Sequence, residues 1–303
     1  MIYSVGSIFL DHIIKINSFP KKPIKMLAEG IEKRLGGSAA VASFTIKKLG
    51  LDSSFIGRLG DDDVSKYLKK ELNTFKIKHK DIITIKGSKS SQSYVYEDKQ
   101  GERLLAAFNE KKLLDSKKLP KITFAKNTTF MSDLRWIEAT LYIAKNCKKK
   151  NLIQVVDLDN YKLNAQIKQI VDLSSFPIFS ETGAFEYTKI KSIIGSLKKM
   201  YSKKNKFYAI TAGEKGVYWI ENGSIFNCKP PKIKVIETNC AGDVFHGAFA
   251  AFIHQKHSVI DSMKLATATA SLKCTKKGGI YSIPSYSSVK KFENKIQLRK
   301  IIL

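Results

Sequence analysis

The chain carries little that could hold it together other than a hydrophobic core. Its four cysteines, Cys147, Cys228, Cys240 and Cys274, are scattered without a C-x-x-C pair. That spacing excludes a zinc ribbon, argues against a disulfide framework and fits a reducing cytosol. Among the five histidines, His254 and His257 lie close together, but no third ligand type stands at metal spacing beside them. No run approaches the roughly 18 uninterrupted apolar residues of a membrane span. The opening MIYSVGSIFLDHIIKI lacks a basic start and carries Asp11 in its apolar part, so it reads as a first strand and not as a signal peptide. A cytoplasmic protein is expected. Acidic residues are scarce as well: 27 Asp and Glu stand against 53 Lys and Arg, a net charge of +26. Such a surplus raises nucleic acid or an anionic membrane as partners. The lysines, however, come in many short groups such as Lys47–Lys48, Lys111–Lys112 and Lys148–Lys150, with no single patch or tail. Lysine also outnumbers arginine, the residue of bidentate base readout. The expectation is solvated surface charge, with no specific nucleic acid and no membrane as partner, and a positive field that helps draw in a polyanionic substrate.

What is present is enough for a large folded unit. Hydrophobic residues make up 43% of the 303 and aromatics 10%, which excludes disorder for the bulk of the chain. No repeat, low-complexity block or linker is visible, so one domain over 1–303 is expected. Apolar runs at Ile2–Phe9, Ser54–Ile56, Thr128–Met131, Leu152–Val156, Pro177–Phe179 and Phe207–Thr211 read as buried strands. Between them Ala39–Leu49, Val64–Leu72, Ile137–Lys148 and Glu186–Met200 read as amphipathic helices. This alternation implies an α/β fold, a mostly parallel sheet with helices on both faces and sites at the carboxyl ends of its strands. Two segments break the rhythm, about 13–35 and 91–108. Period-2 alternation and a Lys99-Gln100-Gly101 turn predict a small antiparallel sheet there, standing off the body as a lid or a dimer surface.

The most informative stretch is KVIETNCAGDVFHGAFAAFIH, Lys234–His254. An apolar strand end gives way to Cys240-Ala241-Gly242, then Asp243, then a helix with Phe245, Phe249 and Phe252 along one core-facing side. Small residues at a strand-to-helix turn leave backbone N–H groups free to face a ligand, and the helix start adds partial positive charge. Asp243 in that first turn suits a base that takes a proton from a hydroxyl attacking phosphorus. An ordinary aspartate at the start of a core helix reads the same way from the residues alone.

The C-A-G-D-V-F-H-G-A-F run resembles the D-T-x-G-A-G-D-x-F signature of the PfkB/ribokinase family of ATP-dependent sugar kinases. The resemblance covers nearly the whole chain in order. Gly6–Asp11 is similar to the family's first strand, ending in a sugar-binding aspartate. Gly36-Gly37 is similar to its G-G hinge, Phe55–Asp62 to its next block, and Thr211-Ala212-Gly213-Glu214-Lys215-Gly216 to the T-x-G-x-x-G loop along the nucleotide. Within the family, Ser90–Ser93, Gly101–Arg103, Asp133-Leu134-Arg135-Trp136, Phe179–Glu181 and Leu272–Thr275 with Gly278-Gly279 most resemble bacterial sulfofructose kinases, as does Ile283-Pro284.

A homodimer through the lid is expected because a projecting antiparallel sheet leaves edges and an apolar face that need cover. The resemblance implies a ribokinase-like three-layer sandwich with a β-lid, ATP and Mg2+ as cofactors, and K+ as a candidate activator. It implies Asp243 as base and the amides of Cys240, Ala241 and Gly242 as anion hole. Asp11, Lys25, Gly36, Gly37 and Arg135 would bind a small, ketose-like sugar, an anionic one included. Thr211, Gly213 and Gly216 would flank the phosphates, and Lys273, Gly278 and Gly279 would border the adenine. The chain also departs from the pattern. Cys240 replaces a glycine, Val41 an asparagine after the G-G hinge, and Ala107 the lid asparagine of the sulfonate binders. The N-x-x-E motif is degenerate at Ser180 and Gly183, which leaves Asp157 and Glu181 as candidates to hold magnesium through water. Glu237 opens the anion-hole motif in place of aspartate and is the candidate potassium ligand. A nucleoside kinase of the same fold is the alternative, and a non-catalytic basic nucleic-acid-binding protein the distant one.

Overall fold

The computed structural model describes residues 1–159, 161–204 and 206–301. Its strands begin with β1 (Ile2–Val5), β2 (Phe9–Lys15), β3 (Gly30–Gly36), β4 (Ser53–Ile56) and β5 (Arg58–Gly60). Next come β6 (Ile83–Ile85), β7 (Gln92–Glu97), β8 (Arg103–Phe108), β9 (Thr129–Asp133) and β10 (Ile153–Leu158). The last are β11 (Phe176–Ser180), β12 (Tyr208–Thr211), β13 (Val217–Glu221), β14 (Ser224–Lys229) and β15 (Gln297–Ile301). The helices are α1 (Ser38–Lys48), α2 (Asp63–Thr74), α3 (Lys111–Leu114), α4 (Ile137–Lys150) and α5 (Ala165–Leu173). They continue with α6 (Glu181–Thr188), α7 (Ile193–Lys203), α8 (Ala241–His254), α9 (Val259–Cys274) and α10 (Tyr286–Glu293).

The body is a nine-stranded sheet in the order β15-β14-β13-β12-β11-β10-β9-β1-β4. Strands from β4 across to β12 pair in parallel, and β13 to β15 add an antiparallel edge. Successive side chains of a strand enter opposite layers. Val155 packs with Phe249 and Ala250 of α8, whereas Val156 packs with Ile167 and Ile170 of α5. α1, α8 and α9 cover one face and α4, α5 and α7 the other, giving the expected three layers. Phe245, Phe249 and Phe252 are core.

A second sheet, β3-β2-β7-β8, stands off the body as the lid. Its outer pairs are antiparallel, and a parallel β2–β7 pairing joins them. The expected single strand Ile2–Phe9 is broken in two. Gly6 turns the chain at φ 149, where any side chain would strike the Asp133 carboxylate, and β2 leaves for the lid at Phe9. The lid therefore begins earlier than the hydrophobic pattern placed it. The expected helix Glu186–Met200 is also two helices. Lys189 adopts a left-handed φ of 58 after α6, and Ser192 caps α7 by accepting from the Gly195 amide. The 3.6-residue period runs through that break unmarked, which is why the sequence read as continuous.

Candidate active site

The start of α8 lies at the carboxyl end of the sheet with no side-chain cap. A helix begins with amides that have no internal partner. The Ala241 amide is taken by the Thr238 carbonyl at 3.2 Å. That removes one of the three donors expected for the anion hole; Cys240 and Gly242 keep theirs. Cys240 itself caps the helix in a left-handed conformation, φ 61 and ψ 8, where a glycine would be at ease. Its thiol packs against the α1 and Val244 core cluster, and burial pushes its pKa up, so it stays protonated and unreactive.

Asp243 follows in the first turn. Around it gather Asp157 from the end of β10, Asp133 from the end of β9, and His246 one turn along α8. Burial first, then the neighbouring Asp157, pushes the Asp243 pKa up; the Ser38 hydroxyl, hydrogen-bonded toward both Asp157 and Asp243, works against this. Asp157 is raised well above the ordinary range by burial and by Asp159 and Asp133. His246 donates Nδ1–H to the Gly242 carbonyl at 2.8 Å, and burial lowers its pKa, so the ring is neutral. Its Nε2 stands 3.7 Å from Asp157 Oδ1, and neither atom has a hydrogen-bond partner. An orphaned carboxylate oxygen in a buried acidic cluster suits a divalent cation. Glu181, the other magnesium candidate, starts α6 with its carboxylate 3.1 Å from the Lys215 ammonium.

A cavity of about 950 Å³ opens beside the helix start. Ala241 and Gly242 form one part of its wall, Thr211, Gly213 and Gly216 another, and Ser271 and Cys274 of α9 a third. Its size and concave shape suit a nucleotide. Lys273, Gly278 and Gly279, expected along the adenine, are not on that wall. Lys273 is fully buried, with its ammonium 2.9 Å from Glu237 Oε1 and 3.2 Å from the Glu237 carbonyl. The Gly279 amide donates to Oε1 at 3.0 Å; the Gly278 amide and Arg34 Nη1 donate to Oε2 at 3.2 and 3.0 Å. Burial opposes ionisation here, yet Lys273 and these donors outweigh it and hold the Glu237 pKa at about 2. Potassium fits poorly: both carboxylate oxygens already accept two donors each, and the nearby carbonyl is occupied too.

The other face of the acid cluster meets the lid. Asp11 on β2 accepts from Ser93 Oγ of β7 at 2.6 Å, and burial raises its pKa to about 6. Gly36 ends β3 so close to Asp11 that a side chain there would collide with the carboxylate. Gly37 is the cap of α1. Arg135 follows β9 in a short turn, its amide donating to Asp133 Oδ1 at 2.9 Å, and it borders a small hollow together with Arg58, Ser91 and Asn109. Lys25 lies on the exposed stretch between β2 and β3.

Several residues of this site went unread in the sequence. Ser38, Arg34 and Asn109 are ordinary polar residues until the fold juxtaposes them, while Ser93 and His246 stand inside motifs of the resemblance without a role assigned to them. Asp133 had a signal, since an acid ending an apolar strand lies where α/β sheets place their sites. It takes the Ser7 amide and hydroxyl at 2.8 and 2.6 Å and the Ala39 amide at 3.1 Å.

A parallel sheet whose carboxyl end carries a buried acid at a bare helix start, beside a nucleotide-sized cavity, defines a phosphotransferase. A match to the family described as pfkB family carbohydrate kinase spans residues 1–286, and the chain belongs to that family. It is accordingly an ATP-dependent carbohydrate kinase that works with Mg2+. The chain is similar to a ribokinase from Haemophilus influenzae, 24% identical over 296 residues that cover 95% of this chain and 96% of that one. Arabidopsis thaliana ribokinase complexed with ribose and ATP superposes with a TM-score of 0.82 at 21% identity, covering 96% of this chain and 98% of that one. The nucleoside kinase of Methanocaldococcus jannaschii superposes at 0.83 and 19% identity, over 97% and 98% of the two chains. No helix among the described residues is long and apolar enough to cross a membrane.

Proposed function

We propose that the whole chain acts as one catalytic unit in the cytoplasm and moves the γ-phosphoryl group of ATP to a primary hydroxyl of a small, ketose-like sugar. Asp243 accepts the hydroxyl proton. The observation that carries this role is its raised pKa at the helix start, next to Gly242 on the cavity wall. The free amides of Cys240 and Gly242 then meet the charge that develops on the transferring group. One such donor contributes about 3–4 kcal/mol in comparable anion holes. ATP lies in the cavity along Thr211, Gly213 and Gly216. Asp157 and Glu181 would hold magnesium through water, where the ion supplies charge neutralisation for the β- and γ-phosphates. Asp11, fixed by Ser93 and given room by Gly36, orients the sugar hydroxyls at the Gly37 end of α1. Arg135 and Asn109 border one hollow, so an anionic group on the sugar, a sulfonate included, has a cationic and an amide neighbour there even though position 107 is alanine. Lys25 approaches from the lid.

The lid also serves as the surface of a homodimer. On the face opposite Asp11 and Ser93, Ile31 is 65% exposed and Leu104 59%, with Tyr94 and Phe108 beside them, and an apolar sheet face of this kind needs cover.

The test is a mass-spectrometric screen with Mg-ATP against ribose, fructose, sulfofructose, adenosine and pyrimidine nucleosides. A sugar heavier by one phosphoryl group is the expected product, and the Asp243→Asn variant should yield none. Transfer to nucleosides alone would move the acceptor to the alternative class. Undiminished transfer by the Asp243 variant would remove the proposed base. Light scattering of the free protein reads the dimer.

A further inference from the structure

The Glu237–Lys273 pair is a buried charge system that phosphoryl transfer does not itself use. Glu237 is 5% exposed and Lys273 0%. Burying an ammonium is costly unless oxygens replace its water. Here two do, a carboxylate oxygen and a backbone carbonyl, and both come from Glu237. The surrounding backbone is drawn to the same point. The Ile236 and Glu237 amides donate to the Cys274 carbonyl at 2.8 and 3.2 Å, which pins this irregular segment, read as a strand end in the sequence, to the last turn of α9. The Gly278 and Gly279 amides turn onto the carboxylate, with Gly278 at φ 123 and Gly279 at φ 54. Three residues further on stands Cys240, the residue that caps α8 and opens the proposed anion hole. The path from Lys273 to the anion hole is therefore one short loop, 237–240, and its first residue is fixed by the ammonium.

A compact, singly charged, strongly hydrated cation that gathers carboxylate and carbonyl oxygens does what a bound monovalent metal ion does. The covalent tether removes the need to recruit it from solution, because its ordering cost is met when the chain folds. We infer that Lys273 is a built-in monovalent cation, a positioning residue that holds the 237–240 loop in shape for phosphoryl transfer, so the enzyme runs without added potassium. The inference rests on the kinase reading above.

The experiment compares initial rates in tetramethylammonium buffer with rates after adding KCl, RbCl or NH4Cl at constant ionic strength. It also records melting temperatures of the nucleotide-free protein in the same salts. The wild type should respond to none of these ions in either readout. Lys273→Ala, which leaves an oxygen-lined hole, should lose about 100-fold in kcat, the scale of a displaced catalytic group. Potassium or ammonium should restore part of that rate and raise the variant's melting temperature. Lys273→Met, which fills the hole with an apolar chain, should be impaired and not rescued. The inference is overturned if potassium activates or thermally stabilises the wild type, or if Lys273→Ala keeps the wild-type rate. Should Lys273→Ala fail to fold, the wild-type salt comparison decides alone. If no acceptor is phosphorylated in any salt, the kinase reading fails, and the melting series still decides whether the protein takes up potassium.

Discussion

Two clusters of buried charge meet at the start of α8, and they are built on opposite plans. Around Glu237 every charge is answered: Lys273, Arg34 and two glycine amides converge on one carboxylate and hold it ionised far below its ordinary range. Around Asp243 and Asp157 the chain leaves the balance open. Two buried carboxyls share a hydroxyl, their nearest ring is neutral, and two polar atoms have no partner. A chain under pressure for stability alone would treat both sites like the first. The contrast separates scaffold, where charge is closed off, from chemistry, where a proton and a cation must be able to enter.

Replacing Asp243 with Asn tests the open side and should have the largest effect. Turnover should fall by about 10²–10⁴-fold, the share of a positioned base. The melting temperature at neutral pH should rise, because a carboxyl with a raised pKa opposes folding when ionised. Loss of both rate and stability would mean that Asp243 supports the fold and would erase the contrast.

Glu237→Gln tests the closed side. Leaving the buried Lys273 ammonium without its counter-charge should cost about 3–5 kcal/mol in denaturant unfolding. The sign of the pH dependence follows from the lowered pKa. The Glu237 contribution is complete above its unfolded value near 4.5 and fades as pH falls toward the folded value of about 2. Wild type and variant should therefore converge in stability across that window.

Gly36→Ala pushes directly on Asp11 from β3. It should raise KM for the sugar, by about 100-fold if Asp11 moves by about an ångström, while leaving ATP binding intact. Equal losses for both substrates, read from initial rates, would show that the strain spreads past the lid.

The smallest effect is expected of Cys240→Gly. Relieving a left-handed cysteine gains about 1 kcal/mol, but vacating the thiol's place in the core cluster offsets it, so thermal unfolding should shift by less than that.

How much of this was legible follows the same divide. Asp243 and its turn could be read because small residues and the helix that follows are adjacent in sequence. The layered sheet was legible for the same reason, since each strand advertises its own buried faces. Lys273 was expected along the nucleotide from the resemblance of the Leu272–Thr275 and Gly278-Gly279 run to the family. Its partner lies 36 residues away, and no local pattern encodes such a pairing. The lid strands were found by alternation, but the break at Gly6 depends on the approach of Asp133 from β9, a contact visible only in three dimensions. Lys189 splits α6 from α7 without any proline or glycine to mark the place. Local chemistry was readable, and its long-range partners were not.

Arg34 joins the two halves of the molecule. It sits on β3 of the lid, paired with Glu32 of the same strand, yet its guanidinium reaches Glu237 across 203 residues of chain. An outward swing of β3 has to break that contact. Lys273 and the two glycine amides would still hold Glu237, so among the described residues the guanidinium is the one contact of that carboxylate that ties it to the lid.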